Sequence, residues 1–196
     1  MIRFATLDAK RAWSKHRDRW NGCVACPIGL AACRHVLGRG SLPCDILFVG
    51  EAPGPSEDAS GLPFVGRAGK TLETQLRAVR KHVGPFRYFV ANALACFPEH
   101  PSENTFRPPT KEELDRCLPR LYEVLKQAKP KGVVFLGKVS ESLHKKLLLP
   151  PFDSTPWVGA YHPSYVNRKG GPRSLVGKRT LLGLKKFIAS VLEPPF

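Results

Sequence analysis

The sequence predicts an α/β fold: a three-layer α/β/α arrangement around a central, mostly parallel, four-stranded sheet. Four short strand-like runs, at 44–50, 87–94, 132–137 and 157–161, are spaced along the chain. The stretches between them carry apolar residues at helical spacing, and strand–helix–strand order of this kind builds a parallel sheet with helices packed on it. No internal repeat or low-complexity block interrupts the pattern. The 196 residues therefore read as one domain, of which 1–44 forms an N-terminal arm.

Cys44-Asp45-Ile46-Leu47-Phe48-Val49-Gly50 is an apolar run that continues into Glu51-Ala52-Pro53-Gly54, as a buried strand does when it enters a loop. Leu72, Leu76 and Val79, at i, i+4 and i+7, make 70–82 an amphipathic helix. Arg87-Tyr88-Phe89-Val90-Ala91-Asn92-Ala93-Leu94 supplies the second strand, followed by a loop over 97–109. Thr110-Lys111-Glu112-Glu113 fits a capping box, with Thr110 as N-cap and Glu113 at N3. Leu114, Leu118, Leu121 and Leu125 give the next helix its apolar stripe, and Pro119 predicts a kink or a late start. Gly132-Val133-Val134-Phe135-Leu136-Gly137 is the third strand, with a helix over about 140–148 after it. A fourth, weaker strand at 157–161 and an amphipathic helix over 181–192 complete the pattern.

Composition narrows the function. With 42% hydrophobic and 24% charged residues, wholesale disorder is excluded. No run approaches the ~20 apolar residues of a membrane span, and 1–20 lacks the apolar core of a signal peptide, so the expectation is a cytoplasmic protein. In that reducing compartment the six cysteines suit metal or cluster ligation better than disulfides. A net charge of +15 points to a polyanionic partner, nucleic acid first. Nothing apolar in the pattern calls for an oligomer, and a monomer is expected.

Function in parallel sheets gathers at the carboxyl ends of the strands, which here carry Gly50-Glu51, Asn92, Gly137 and His162. Gly69-Lys70-Thr71 suggests a phosphate-binding loop, but the position that such a loop reserves for its first Gly is Phe64, and no strand leads into it. Longer-range spacing is more informative. Gly50-Glu51-Ala52-Pro53-Gly54, Glu57-Asp58, Gly61-x-Pro63-Phe64-Val65-Gly66-Arg67-Ala68-Gly69, Asn92 and His162-Pro163-Ser164 follow one another on successive strand ends. From Cys23 to about Arg168 this series resembles the uracil-DNA glycosylase superfamily, most of all the family 4 enzymes that carry an iron–sulfur cluster.

The resemblance implies hydrolysis of the bond between deoxyribose and a uracil flipped out of DNA, with Gly50, Glu51, Ala52, Phe64, Asn92 and His162 around the base. A glycosylase must extrude its base, hold it by one face and its Watson–Crick edge, and stabilise the anion it becomes. Phe64 would stack on the ring, Asn92 would pair with N3–H and O4, and His162 would donate to O2. Cytosine, with an acceptor at N3 and an amine at position 4, would leave a fixed Asn unpaired. For the attacking water the best-known branch of the superfamily has a carboxylate where this chain has Ala52. Glu51 and then Glu57 are the carboxylates left for that task.

Cys23-x-x-Cys26 is a ligand pair by spacing. By resemblance, Cys96 and Cys117 complete the set for a 4Fe-4S cluster. The rival set is the local run Cys23, Cys26, Cys33 and Cys44 binding zinc. The Cys96–Cys117 segment is longer than the family's usual one and contains His100. In a further branch of the superfamily a His in this loop bonds covalently to the abasic sugar, though the basic residues around it there are absent here. Beyond His162, the segment containing Ser164, Tyr165, Val166, Arg168 and Lys169 reads as a DNA-facing loop whose 165–168 portion enters the duplex. A non-catalytic or covalently trapping iron–sulfur protein that binds uracil-containing DNA is the alternative reading.

Overall fold

A computed structural model describes residues 2–98 and 106–193. The elements run β1 (Ile2–Phe4), α1 (Leu7–Trp20), α2 (Pro27–Ala31), β2 (Arg39–Leu42), β3 (Ile46–Gly50), α3 (Pro55–Ser60), α4 (Arg67–Val83) and β4 (Tyr88–Asn92). They continue as α5 (Lys111–Ala128), β5 (Gly132–Leu136), α6 (Lys138–Glu141), α7 (His144–Leu147), β6 (Trp157–Ala160), α8 (Pro163–Arg168) and α9 (Leu175–Leu192).

The expected α/β sandwich is present, with six strands in place of four, in the order β1-β2-β4-β3-β5-β6. β4, β3, β5 and β6 are mutually parallel, and only β2 runs antiparallel to its neighbour β4. The two extra strands come from the segment read as an arm. Gly40 explains how β2 seats: a Cβ there would lie 2.3 Å from the Tyr88 carbonyl oxygen, so the two backbones approach more closely than an L side chain allows. Glu123 on α5 accepts hydrogen bonds from Trp20 Nε1 and Arg19 Nη1, which ties α1 to the body of the fold.

β3 and β5 are buried at every position, as a sheet covered on both faces requires, and successive residues point to opposite faces. Leu47, Val49, Phe89, Ala91, Val133 and Phe135 face a core closed by Trp13 of α1 and by Leu121, Val124 and Leu125 of α5. Ile46, Phe48, Val90 and Val134 face the opposite core, closed by Leu72, Leu76 and Val79 of α4 and by Leu184 and Ile188 of α9.

The capping box of α5 forms as expected: Glu113 N–H donates to Thr110 Oγ1 and Thr110 N–H to Glu113 Oε2. The helix begins at Lys111 and runs through Pro119 with no late start. The expected helix over 140–148 is two short helices, α6 and α7. α9 begins six residues before the expected 181, where Ser174 Oγ accepts from Gly177 N–H. Among the described residues no helix is long and apolar enough to cross a membrane.

Candidate active site

The parallel register pairs Gly50 with Asn92 at the carboxyl ends of β3 and β4. Gly50 is where the two reading groups meet: a Cβ built on it would lie 2.3 Å from Asn92 Oδ1 and 2.6 Å from the tip of the Phe64 ring. Phe64 itself sits at φ 56°, a left-handed conformation that an aromatic residue adopts only under constraint. The constraint is visible. Glu57 Oε1 accepts from the N–H groups of Val65 and Gly66, and Arg39 donates through Nε to the Pro63 carbonyl and through Nη2 to that of Phe64. Gly69 completes it, since any Cβ there would overlap the Phe64 carbonyl.

The aromatic ring is therefore held in place before any ligand arrives. Gly50→Ala is expected to push Phe64 and Asn92 apart and lower kcat/KM on a uracil-containing oligonucleotide by about 10²-fold, the effect of a misplacement near 1 Å. Circular dichroism should retain the native fold.

Asn92 is 1% exposed, and its Oδ1 is buried without a hydrogen-bond partner among the described residues. A buried carboxamide oxygen in that state costs about 1–3 kcal/mol, so the site holds an acceptor ready for a donor that the described residues do not supply.

His162, two residues beyond β6, caps α8: its Nδ1 accepts from Ser164 N–H at 3.2 Å and lies 2.8 Å from Ser164 Oγ. A backbone N–H can only donate, so the proton of the neutral ring is on Nε2. Burial, aided by the Arg168 charge and weakly opposed by Glu57, pushes the His162 pKa down to about 4. The ring is neutral at pH 7, and its centroid lies 5.9 Å from that of Phe64.

Phe64, Asn92 and His162 line a single open pocket with Glu51, Ala52 and Arg168. The two carboxylates are placed differently. Glu57 is engaged by three backbone donors, those of Gly54, Val65 and Gly66. Glu51 is half-buried, and desolvation raises its pKa against the pull of Arg168.

Of the expected DNA-facing residues, Ser164, Tyr165, Arg168 and Lys169 lie on or next to the short helix α8. Val166 is fully buried and cannot reach DNA from there, a correction that follows from the segment being helical rather than a loop. Tyr165 stacks on the exposed Tyr161, with ring centroids 5.3 Å apart, and the side chains of Arg168 and Lys169 lie over it. Neither Tyr161 nor Phe106, an exposed ring at the pocket mouth, carried a sequence signal.

The cysteines separate cleanly. Cys23, Cys26, Cys96 and Cys117 line one cavity between α2, the end of β4 and α5, together with Trp20 and Arg120. Gly29 lets α2 close over it, because a Cβ there would lie 2.4 Å from the Cys23 carbonyl oxygen. Burial first, then the neighbouring thiols of Cys117 and Cys26, push the Cys96 thiol up to about 12. Cys44 is buried in the core instead and Cys33 is exposed, so the local zinc set is not brought together. His100 lies outside the described residues.

A family model described as the uracil DNA glycosylase superfamily matches residues 37–180. The chain belongs to the uracil-DNA glycosylase superfamily. A relative named Type-4 uracil-DNA glycosylase, from Thermotoga maritima, is 34% identical over 174 residues, covering 81% of this chain and 86% of its own. Relatives of the same name from Pyrobaculum aerophilum (35%, covering 64% of this chain and 61% of theirs) and Archaeoglobus fulgidus (37%, 59% and 55%) share shorter segments. The match with these two spans less than two thirds of their length. Every pocket residue falls inside the superfamily match, as do Cys96 and Cys117, whereas Cys23 and Cys26 precede it.

Proposed function

We propose that the chain is a uracil-DNA glycosylase that hydrolyses the N-glycosidic bond of a uracil flipped out of DNA and leaves an abasic site, as a step of base-excision repair. One observation carries this reading. A fixed aromatic face, a buried carboxamide whose oxygen has no partner among the described residues and a neutral imidazole donor converge on one pocket at the ends of β3, β4 and β6.

The chemistry follows from the positions. Phe64 stacks on the extruded base. Asn92 Oδ1 accepts from N3–H while its amide donates to O4, and cytosine would present an acceptor and an amine to the wrong partners. As the glycosidic bond lengthens, negative charge collects on O2, toward which His162 directs its Nε2–H. A neutral donor suits this task because it stabilises the anion without having to be recharged in each cycle.

Glu51, whose carboxylate has no hydrogen-bond partner among the described residues, positions the attacking water. An oxocarbenium-like sugar needs little nucleophilic push, so modest activation suffices. Glu57 acts at one remove, as the brace of the Phe64 turn. Ser164, Tyr165, Arg168 and Lys169 carry the flanking DNA strand, and the +15 charge favours the encounter. We read the protein as a single-domain cytoplasmic monomer.

The four cavity cysteines, Cys23, Cys26, Cys96 and Cys117, would hold a 4Fe-4S cluster. Two features support the fit. The four thiols line one cavity, while among the described residues no group of three or more His, Cys, Asp or Glu is set to hold a single metal ion. Arg120 lies against Cys117 as a counter-charge, and its buried Nη1 has no partner among the described residues. When bound, the cluster supplies a structural tie between the 23–26 loop, the end of β4 and α5. Cys96→Ser is expected to abolish the visible absorption near ~400 nm of the purified protein. Retained absorption would assign the cluster to other residues.

The test of the function is incubation with an end-labelled oligonucleotide containing one uracil, followed by hot alkali. Strand cleavage at the uracil is the expected result. Tight binding with no abasic product would make the protein a sensor, and a DNA adduct that survives denaturation would make it a covalent trap.

A further inference from the structure

Arg120 heads the largest side chains that are fully buried among the described residues, at 1% exposure, and the chemistry above uses it only as a counter-charge. A guanidinium is taken out of water at great cost unless its donors are matched. Its partners here are unusual in kind. Nε donates to Cys117 Sγ at 3.3 Å, while Nη2 donates to the carbonyl oxygens of Asn92 and Ala93 at 2.5 and 3.0 Å. Nη1 is buried with no partner among the described residues. Cys117 and Arg120, three residues apart on α5, share one helix face. A single rigid fork therefore joins the wall of the cysteine cavity to the peptide groups of the residue that reads the base.

The other side of the same peptides is held by β3 and the loop after it: Ala93 N–H donates to the Gly50 carbonyl and Leu94 N–H to that of Glu51. Arg120 alone, among the described residues, takes the Asn92 and Ala93 carbonyls from the cavity side. A neutral thiol is a weak acceptor and a thiolate a strong one. The Nε bond is weak to a neutral Cys117 thiol and tightens when the cysteines are ionised by what they bind.

We propose that Arg120 is a positioning residue that couples the cysteine cavity to base recognition: occupancy of the cavity fixes the guanidinium, and the guanidinium fixes Asn92. The inference rests on the glycosylase reading for what Asn92 does, and on the cysteine set for what fills the cavity. Lysine cannot substitute, because a point charge on a flexible stem does not span the thiolate and the carbonyls at once.

The test compares the wild-type protein and Arg120→Lys, each as isolated and after the iron has been stripped by oxidation and chelation. Two quantities are read: amide hydrogen exchange at Ala93 and Leu94, and affinity for a single-stranded oligonucleotide carrying one 2′-fluoro-2′-deoxyuridine. Stripping the wild-type protein is expected to speed exchange at both amides and weaken the affinity, each by about tenfold. As-isolated Arg120→Lys, still absorbing near ~400 nm, is expected to show both changes already, with less than about a further twofold on stripping.

Unchanged exchange at Ala93 and Leu94 in the stripped wild-type protein would overturn the coupling, and so would effects of variant and stripping that simply add. The wild-type arm needs no variant to fold. Uracil excision by the same wild-type preparation separates the two claims. Its absence would sink the glycosylase reading, whereas unchanged exchange with excision intact sinks only the coupling.

Discussion

His162→Ala is expected to slow single-turnover release of uracil by about 10²–10³-fold, the usual cost of removing one preorganised donor from a site of developing negative charge. The magnitude depends on the donor being fixed. Nδ1 is committed to Ser164, so the ring offers Nε2–H to the pocket and nothing else. The same geometry sets the pH dependence. With its pKa pushed down to about 4, His162 is neutral from about pH 5 upward, and the rate should not rise as pH falls through the ordinary histidine range near 6.5. An imidazolium catalyst would give that rise.

Stability follows with a definite sign. Between about 4 and 6.5 the unfolded chain binds the proton and the folded one does not, so stability is lost on acidification across that window. His162→Gln should flatten this loss. Because His162 also caps α8, the Ala variant carries a structural cost of about 1 kcal/mol, to be measured alongside the rate by thermal unfolding.

Asn92→Ala should separate activity from stability. Two hydrogen bonds to the base are lost, each worth about 1–2 kcal/mol in a buried site, so kcat/KM for uracil falls by about 10²–10³-fold. The free protein, however, gains nothing from Oδ1, which has no partner among the described residues. Removing it relieves a desolvation penalty that offsets the small cavity left behind, and the melting temperature should stay within a few degrees of wild type or rise. A merely structural Asn in the same place would be destabilising on truncation. The comparison therefore tells a recognition group from a packing group without reference to the substrate.

The parts of the site that could be read in the sequence are those whose chemistry sits in one side chain at a strand end. Asn92 and His162 follow apolar runs, and Phe64 is embedded in glycines whose spacing is dictated by contact: Gly50 by the ring and carboxamide that touch it, Gly69 by the Phe64 carbonyl. What was illegible depends on partners distant in the chain. Glu57 reads as a free carboxylate until the amides of Gly54, Val65 and Gly66 are seen on it. Arg120 carries no sequence signal, because a lone arginine is rarely buried and its acceptors, one sulfur and two distant backbone carbonyls, follow no sequence pattern.

The fold divides in the same way. β3 and β5 are apolar throughout and advertise themselves. β1 has three residues and β2 is Arg39–Leu42 with a glycine in the middle, too short and too polar to register a period. α1 buries only Trp13 and His16 among 14 residues, so its lysines and arginines hid the helix.

A crystal structure of the protein with free uracil bound shows whether this pocket reads the base. The ring should lie flat on Phe64, with N3–H and O4 facing the Asn92 carboxamide and O2 within hydrogen-bond reach of His162 Nε2. Uracil found away from the Phe64 face, or with that edge turned from Asn92, would contradict the assignment of this pocket to the base.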